Sequence, residues 1–270
     1  MKEPIILVTG STDGIGKATA RVLASHGAHV ILHGRDQEKG EKVIRELKDL
    51  TWNTKLDLII ADLSEQRNVI RLAEEVTSNY ERLDVLINNA GVYEKRRRLT
   101  HDNIEMTFAV NYLAPFLLTR QLLPLLKKSA PSRVVNLASL SHRDIRQIDW
   151  ENMQGEKHYE PFRAYALSKF ADITFTYSLA EQLAGKGVTV NCLHPGVIAS
   201  KLLHAGFPTI RGKPPSHGAM IPVHLSLAQE VADISGEYFE ESPQPSRSSS
   251  LTYNRTVQDR LWNVAEQLTE

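Results

Sequence analysis

The chain has 270 residues, of which 41% are hydrophobic and 24% charged, and its 32 basic residues balance its 32 acidic ones. This ordinary globular composition argues against disorder throughout, and the balanced charge excludes a chain-wide basic surface for nucleic acid or anionic lipid. The single cysteine, Cys192, excludes an intramolecular disulfide and a cysteine-based zinc cluster.

Short apolar segments alternate with longer amphipathic ones along the chain. The predicted strands are residues 5–8, 28–32, 56–60, 85–87, 133–138 and 188–193. The predicted helices are residues 14–26, 36–50, 64–80, 100–127, 162–184 and 254–268, the third with Ser64 as its N-cap. Residues 242–250 are rich in serine and proline and predict a loop before the final helix.

The predicted strands are apolar throughout and do not alternate with polar residues. This pattern is typical of parallel strands that are covered on both faces. Regular strand–helix alternation then predicts right-handed crossovers and an α/β, doubly wound Rossmann fold with a central parallel sheet of about seven strands. We expect residues 1–270 to form one domain.

No run of 18 apolar residues occurs, so the sequence predicts no membrane span. The first apolar run, Ile5–Val8, is too short for the core of a signal peptide. We therefore expect a soluble, cytoplasmic protein.

A glycine-rich turn connects the first predicted strand to the first helix. Gly10 permits a tight turn, Gly14 lets the backbone approach a pyrophosphate, and Gly16 lets the helix pack against the strand. The helix N-terminus then directs unpaired N–H groups at the phosphates. The alternative is a glycine turn without a ligand. The predicted cofactor-binding residues of this turn are Gly10, Ser11, Thr12, Asp13, Gly14, Ile15 and Gly16.

The end of the second strand predicts which dinucleotide binds. Gly34 lies about 18 residues after Gly16, where a site specific for NAD usually carries an acidic residue for the ribose diol. Glycine removes the charge that would repel a 2′-phosphate, and the adjacent Arg35 can clamp a phosphate. The alternative is a solvated Arg35 at the start of a helix whose N-cap is Asp36. We predict NADP(H) in preference to NAD(H).

Tyr165 and Lys169 are four residues apart at the start of a predicted helix, so they share one face. A phenol has a pKa of about 10, and a nearby ammonium favours its ionised form. Such a pair can exchange a proton with an alcohol or carbonyl oxygen. The spacing alone is weak evidence, since Tyr93/Arg97 and Tyr159/Arg163 have it as well, without lysine.

Six motifs follow one another along the chain: the glycine turn, Asn88-Asn89-Ala90-Gly91, Asn111, Ser139, Tyr165/Lys169 and His194-Pro195-Gly196-Val197. Taken together in this order, they resemble the short-chain dehydrogenase/reductase family over residues 4–240. Within that family, the sequence most resembles the branch that contains retinol dehydrogenases and the WW-domain oxidoreductase.

The resemblance implies a role for each catalytic position. Tyr165 is the general acid/base, and Lys169 favours its ionisation and holds the nicotinamide ribose. Ser139 binds the substrate oxygen, and Asn111 supports a proton relay. It also implies that Asp62 and Leu63 meet the adenine, Asn88 the adenosine ribose, and Pro195 and Val197 the nicotinamide. From the residues alone, Asp62-Leu63 and Asn88 at strand ends are as compatible with turns as with ligand contacts.

The implied activity is hydride transfer between NADP(H) and an alcohol/carbonyl substrate, a lipophilic aldehyde, ketone or retinoid-like compound. The alternatives are a carbon–carbon double-bond reductase of the same family and a non-catalytic NADP-sensing protein. Residues 199–215 and the stretch between Ser139 and Tyr165 are expected to wall the substrate pocket. The family implies a homodimer or homotetramer through helices 100–127 and 162–184, and no metal motif is found.

Proline at position 115 adds one hypothesis from the residues themselves. Pro115 has no N–H to bond the carbonyl of Asn111 four residues earlier. A water could then satisfy that carbonyl and link Asn111 to Lys169. The alternative is a kink that affects only packing.

Overall fold

The computed structural model describes residues 3–270, and a central sheet of eight strands organises it. The strands are β1 (Ile5–Val8), β2 (His29–Gly34), β3 (Leu56–Ile60), β4 (Val85–Asn88), β5 (Ser132–Leu137), β6 (Val188–Leu193), β7 (Tyr238–Phe239) and β8 (Pro245–Ser246). Their order across the sheet is β3-β2-β1-β4-β5-β6-β7-β8. All neighbours are parallel except β7 and β8. This is the doubly wound α/β fold that the sequence predicts.

Ten α-helices lie on the two faces and edges of the sheet in this part of the chain. They are α1 (Gly14–Ser25), α2 (Gln37–Thr51), α3 (Gln66–Asn79), α4 (Met106–Phe108), α5 (Ala114–Lys128), α6 (Pro161–Gln182), α7 (Lys201–Gly206), α8 (Pro215–Gly218), α9 (Met220–Leu227) and α10 (Arg255–Leu268). A π-helical turn, Ala109–Leu113, joins α4 to α5, and short 3₁₀ turns occupy Leu140–Asp144 and Ser250–Tyr253.

The apolar strands supply both halves of the core. In β1, Leu7 contacts the cluster formed with α3, α5 and α6, while Ile6 and Val8 contact the cluster on the side of α1 and α2. All three side chains are completely buried. Because successive residues of a strand point to opposite faces, a sheet covered on both sides needs apolar residues at every position.

The sheet has eight strands where the sequence predicts about seven. The difference lies at the edge, where β7 and β8 have two residues each and β8 runs antiparallel. Two residues cannot display a periodic pattern, so the sequence predicts no strand at β7 and only a serine- and proline-rich loop around β8.

Of the two N-caps predicted for α2 and α3, the one for α3 needs correction. Ser64 is not an N-cap: α3 begins at Gln66, its N-cap position is Glu65 without a side-chain bond, and the N–H of Ser64 donates to Asp62 Oδ1 at 2.9 Å. Asp36 does cap α2, since its Oδ1 accepts from the N–H of Lys39 at 3.0 Å.

The predicted helix over residues 100–127 begins only at Met106. Glu105 caps it by accepting from the N–H groups of Thr107 and Phe108. The π-helical turn follows, and the N–H of Ala114 reaches back to the carbonyl of Ala109. Pro115 comes directly after this turn and lacks the N–H that an unbroken α-helix would use, which explains why the regular pattern is interrupted here.

Helix α10 packs across α5 and α6. The ring of Trp262 lies 5.0 Å from that of Phe116 and 5.9 Å from that of Phe175. The hydroxyl of Tyr112 donates to the carbonyl of Leu261 at 3.0 Å. The chain's own last helix therefore covers part of the surface that the sequence predicts for self-association.

None of the helices in residues 3–270 combines the length and apolar content needed to cross a lipid bilayer.

Candidate active site

A cavity of about 960 Å³ opens at the carboxyl ends of the parallel strands. Ligands of open α/β sheets bind at this edge. Fourteen of the residues predicted from the sequence line it: Gly10, Thr12, Asp13, Gly14, Ile15, Gly16, Arg35, Asp62, Leu63, Ser139, Tyr165, Lys169, Pro195 and Val197. Three other predicted residues, Ser11, Asn88 and Asn111, lie buried outside the lining.

Steric constraints explain the glycines of the turn after β1. Gly10 has a φ of 64°, in the left-handed region that favours glycine. A Cβ on Gly16 would lie 2.4 Å from the carbonyl oxygen of Gly10 and 2.4 Å from Asn89 Nδ2. The turn, the start of α1 and the loop after β4 therefore pack too closely for any side chain at position 16.

His33 at the end of β2 supports the same turn. Its Nδ1 accepts from the N–H of Gly10 at 3.0 Å, and its Nε2 donates to the carbonyl of Ala61 at 3.0 Å. Burial lowers the pKa of His33 to about 4. The imidazole is therefore neutral near pH 7, with the one acceptor and one donor that these two bonds require.

Ser11 acts within the turn and not on the cavity. Its Oγ accepts from the N–H of His33 at 2.9 Å, and its own N–H donates to the carbonyl of His33 at 2.9 Å. The structure thus places Ser11 as a support for the glycine turn.

The end of the cavity next to the glycine turn carries several cationic side chains. Asp13 caps α1, and its Oδ2 pairs with Lys39 Nζ at 2.7 Å and Lys201 Nζ at 2.9 Å. The hydrogen bond from Lys39 holds the pKa of Asp13 well below its ordinary value. Arg35 is exposed at the cavity and forms no ion pair within the described residues. The local charge therefore stays positive, which suits an anionic ligand at the N-terminus of α1.

Gly34 has a packing role as well. A Cβ at this position would lie 2.6 Å from Thr12 Cγ2. A side chain at position 34 would therefore press against Thr12, so the packing of the glycine turn over β2 favours glycine there.

Asn89, and not Asn88, faces the cavity after β4. Asn88 donates from Nδ2 to Asn136 Oδ1 at 2.8 Å and is 4% exposed. Asn89 donates from Nδ2 to the carbonyl of Thr9 at 2.7 Å and lines the cavity. Asn88 thus ties β4 to β5, while Asn89 ties the β4 loop to the glycine turn.

Tyr165 and Lys169 both lie on the face of α6 that borders the cavity. Lys169 is 4% exposed, and its Nζ donates to the carbonyl of Leu137 at 2.7 Å and to Asp172 Oδ2 at 2.9 Å. Tyr165 is 6% exposed. The helix therefore presents a phenol and an ammonium one turn apart in the same enclosed space.

Ser139 follows β5 and lines the cavity with Tyr165. It is the N-cap of the Leu140–Asp144 turn, where its Oγ accepts from the N–H of Ser141 at 3.2 Å. His142 anchors this turn: its Nδ1 donates to the carbonyl of Ser139 at 2.6 Å, and its Nε2 accepts from the N–H of Ser249 at 3.1 Å. These bonds hold the Ser139 turn in place at the border of the cavity that Tyr165 also lines.

Asn111 is fully buried in the π-helical turn, where its side chain braces two segments of the site. Its Nδ2 donates to Ser168 Oγ and to the carbonyl of Val92, each at 3.0 Å, and its Oδ1 accepts from the N–H of Val92 at 2.7 Å. Ser168 directly precedes Lys169. The side chain therefore connects the loop after β4 to α6, and the water link to Lys169 stays a prediction.

Aromatic rings form a wall of the cavity beside Tyr165. The ring of Tyr93 lies 5.6 Å from that of Tyr165 and 5.7 Å from that of Phe207, and Phe207 lies 5.8 Å from Phe162. Burial raises the pKa of Tyr93. These rings come from three separate segments, so the wall could not be assembled from the sequence.

Tyr159 is engaged elsewhere. Its hydroxyl donates to Glu105 Oε1 at 3.0 Å, and burial raises the pKa of this phenol well above its ordinary range. Three tyrosines have a cationic residue four positions later. Among these three pairs, only Tyr165 and Lys169 combine a lysine with a place for both side chains in the cavity lining.

Reasoning from the sequence assigns no site role to His33, Lys39, Phe162, Ser168, Asp172 or Phe207, and it names Asn89 only as part of the motif Asn88-Asn89-Ala90-Gly91. His33 and Asn89 do stand at the carboxyl ends of predicted strands, which was an available signal. Lys39 lies one turn into α2, near Arg35, and offered a weaker one. Phe162, Ser168 and Phe207 depend on contacts between distant segments. Asp172 lies only three residues from Lys169, so its spacing on the predicted helix was a local signal.

Comparison with known proteins agrees with this geometry. The model of the short chain dehydrogenase family matches residues 4–210. Retinol dehydrogenase 11 of Homo sapiens is 40% identical over 269 residues, which cover 97% of this chain and 84% of that protein. Polyprenol dehydrogenase of Homo sapiens is 34% identical over 281 residues, covering 98% and 84% respectively.

Solved structures show the same fold. A protein from Mycobacterium paratuberculosis aligns with a TM-score of 0.82 and 28% identity, covering 99% of this chain and 93% of that one. A short chain dehydrogenase from Escherichia coli CFT073 complexed with NADPH aligns with a TM-score of 0.74 and 30% identity, covering 90% and 98%. On this evidence the chain belongs to the short-chain dehydrogenase family and is an oxidoreductase.

Proposed function

We propose that the protein is an NADP(H)-dependent oxidoreductase that interconverts an alcohol and its carbonyl compound, with Tyr165 as the general acid/base. One observation carries this proposal: Ser139, Tyr165 and Lys169 line the same cavity as the glycine turn and the N-terminus of α1. The acid–base group and the expected phosphate site therefore share one continuous space.

In the proposed reaction, Ser139, Tyr165 and Lys169 have separate roles. When bound, the nicotinamide supplies or accepts the hydride. Ser139 Oγ donates a hydrogen bond to the substrate oxygen, and Tyr165 gives that oxygen a proton in reduction or takes one in oxidation. The Lys169 ammonium stabilises the phenolate form of Tyr165 by its charge. Burial of all three groups excludes bulk water and strengthens these interactions.

The proposed preference for NADP(H) rests on Arg35, Lys39 and Gly34. Arg35 is free to bind a 2′-phosphate with two donors, and Lys39 lies at the same edge of the cavity. The neighbouring structure from Escherichia coli was solved with NADPH, and one from Shigella flexneri with NADP, which supports the same preference.

The substrate is proposed to be a lipophilic alcohol or carbonyl compound. The wall beside Tyr165 is built from Tyr93, Phe162 and Phe207, with Leu99 and Ile210 further out along the lining. Such a surface gains free energy by removing an apolar substrate from water. The names of the relatives, retinol dehydrogenase 11 and polyprenol dehydrogenase, point to the same class.

Tyr165→Phe tests the proposed chemistry. We expect turnover of aldehydes or ketones to fall by about 10²–10⁴-fold, the usual contribution of general acid–base catalysis. NADPH affinity, measured by fluorescence titration, should stay nearly unchanged. Tyr159→Phe serves as a matched control, because it removes the hydroxyl of a half-buried tyrosine that does not line the cavity. Turnover by Tyr165→Phe at the unmodified rate would refute the assignment.

Arg35→Ala tests the cofactor preference. A charge-assisted hydrogen bond contributes about 1.5–3 kcal/mol, so NADPH should bind about 10–100-fold more weakly while NADH affinity changes little. Arg21→Ala, which removes an exposed arginine from α1 outside the cavity, is the control. Equal affinity of the unmodified protein for NADPH and NADH would contradict the proposed preference.

A further inference from the structure

A second buried charge lies beside the lysine of the site. Asp172 follows Lys169 by three residues on α6, and its Oδ2 accepts from Lys169 Nζ at 2.9 Å. Only 5% of the lysine side chain and 3% of the aspartate side chain are exposed. The other carboxylate oxygen, Oδ1, has no hydrogen-bond partner within the described residues. Burying a charged group in this way is costly, and the proposed roles of Ser139 and Tyr165 do not explain it.

The ion pair limits what the ammonium can offer to the cavity. Lys169 Nζ has three N–H donors. One bonds the carbonyl of Leu137 at 2.7 Å and one bonds Asp172. At most one donor is left to point at a ligand, so the two internal bonds fix where the ammonium stands.

The carboxylate also offsets the charge of the ammonium. Tyr165, Lys169 and Asp172 are spaced i, i+4 and i+7, so they lie along one face of α6. Along the helix axis, Tyr165 and Asp172 are about 10 Å apart. A negative charge at that distance, in a buried region, acts on the phenol with a sign opposite to that of Lys169.

Few other titratable groups face Asp172. Tyr112 approaches from the π-helical turn and Cys192 from β6, and burial raises the pKa of both well above the neutral range. From β5, Asn136 contributes a neutral amide that donates to Thr176 Oγ1 at 2.9 Å. Burial raises the pKa of Asp172, and Lys169 opposes that shift. Lys169 is therefore the charge against which Asp172 is balanced.

We infer that Asp172 is a positioning residue that holds the Lys169 ammonium in place and weakens its field at Tyr165, and so sets the pH range in which Tyr165 exchanges its proton. The inference rests on the proposed role of Tyr165. Under this inference, the phenol of Tyr165, the ammonium of Lys169 and the carboxylate of Asp172 act together as neighbouring groups along α6.

The variant Asp172→Asn keeps the size and the hydrogen-bond acceptor but removes the charge. In this variant Lys169 still borders the cavity and keeps its bond to the carbonyl of Leu137. The carboxylate no longer offsets the charge of Lys169, so the positive electrostatic potential at Tyr165 increases. With an effective dielectric constant of about 20, one charge at about 10 Å corresponds to roughly one pH unit.

The experiment measures phenolate absorbance of the ligand-free protein between pH 6 and 10.5. The signal of Tyr165 is isolated by subtracting the matching Tyr165→Phe protein, in both the unmodified and the Asp172→Asn background. We expect the midpoint to lie about one pH unit lower in Asp172→Asn. Asp172→Ser should show the same direction, so the result does not depend on one replacement.

Thr176→Val is the matched control. Thr176 is fully buried on the same helix and donates to the carbonyl of Asp172 at 2.8 Å, but it carries no charge. In Thr176→Val, the midpoint of the Tyr165 phenolate titration should equal that of the unmodified protein. A midpoint in Asp172→Asn that is unchanged or higher would overturn the inference.

The pH profile of kcat/KM for alcohol oxidation gives a second readout. Its acid limb should move to lower pH in Asp172→Asn by the same amount, whereas a purely structural defect would lower the rate at every pH. The two proposals fail separately. Absence of any turnover by the unmodified protein counts against the proposed function, while the phenolate midpoint alone still decides the role of Asp172.

Discussion

At the scale of single residues, the cofactor end of the sheet is determined by the absence of side chains. Gly16 shows this most clearly, since a Cβ there would lie 2.4 Å from the carbonyl oxygen of Gly10. Backbone cannot yield as a flexible side chain does, so the turn itself would have to move. The lack of a Cβ at Gly16 therefore allows the glycine turn to keep its position against α1, where the phosphate site is expected.

Gly16→Ala should accordingly displace the glycine turn from α1. We expect NADPH affinity, measured by fluorescence titration, to fall by at least about tenfold, because the N–H groups at the start of α1 lose their alignment. The control is Gly185→Ala. Gly185 has a φ of 72° but open space around its Cβ position, so it should cost about 1 kcal/mol of stability without changing affinity. Unaltered NADPH binding by Gly16→Ala would show that the close contact is unimportant.

The sequence indicates why Gly34 suits the cofactor but does not reveal its packing role. Gly34 is interpreted from the sequence as the removal of an acidic ribose ligand. In the structure it also makes room for Thr12, whose Cγ2 would lie 2.6 Å from a Cβ. Spacing along the chain reveals the first property, but the second depends on which residue the turn lays over β2.

At the scale of secondary-structure elements, α10 stabilises the helices that carry the site. Leu261 and Ala265 are fully buried, and the hydroxyl of Tyr112 bonds the carbonyl of Leu261. Arg120 on α5 pairs with Glu266 at 3.1 Å. The helix thus packs behind the π-helical turn and α6, on the side away from the cavity.

Leu261→Ala should lower the free energy of unfolding by about 2–5 kcal/mol, the cost of a cavity in a packed core. Urea denaturation monitored by circular dichroism measures this change. Asn263→Ala replaces an exposed residue of the same helix and should change stability by less than about 0.5 kcal/mol. Equal effects of the two substitutions would mean that α10 does not support the core.

The strands and most helices follow from hydrophobic periodicity, whereas the interruption at residues 109–113 does not. Pro115 indicates that the helix cannot be regular there, but it does not specify a π-helical turn. Asn111 lies at the centre of that turn, and its side chain bonds Ser168 and Val92, which are distant in the sequence.

At the scale of the whole molecule, three buried imidazoles make stability depend on pH. Burial lowers the pKa of His33, His142 and His194 to about 4 in each case. In the unfolded chain these groups bind a proton near pH 6.5. Between about pH 6.5 and 4 the unfolded state therefore holds more protons, so the stabilisation that these histidines give is complete above pH 6.5 and is lost as the pH falls through this window.

The loss should amount to about 1.4 kcal/mol per pH unit for each histidine. Urea midpoints at pH 7.5 and 5.2 measure it above the range in which most carboxylates titrate. His101→Gln removes a histidine whose side chain is 85% exposed. This variant should show the same change in urea midpoint between the two pH values as the unmodified protein. A urea midpoint that is the same at both pH values would contradict the prediction.

The amino-acid sequence by itself determines the strand–helix order, the doubly wound sheet, the glycine turn and the Tyr165/Lys169 pair. Each of these depends on residues close together in the chain, whose spacing reflects the period of a strand or helix. Only the tertiary structure decides that Asn111 braces Ser168, that the rings of Tyr93 and Phe207 meet beside Tyr165, and that α10 covers α5 and α6. Such contacts join segments far apart in sequence, and packing selects them only when the whole core closes.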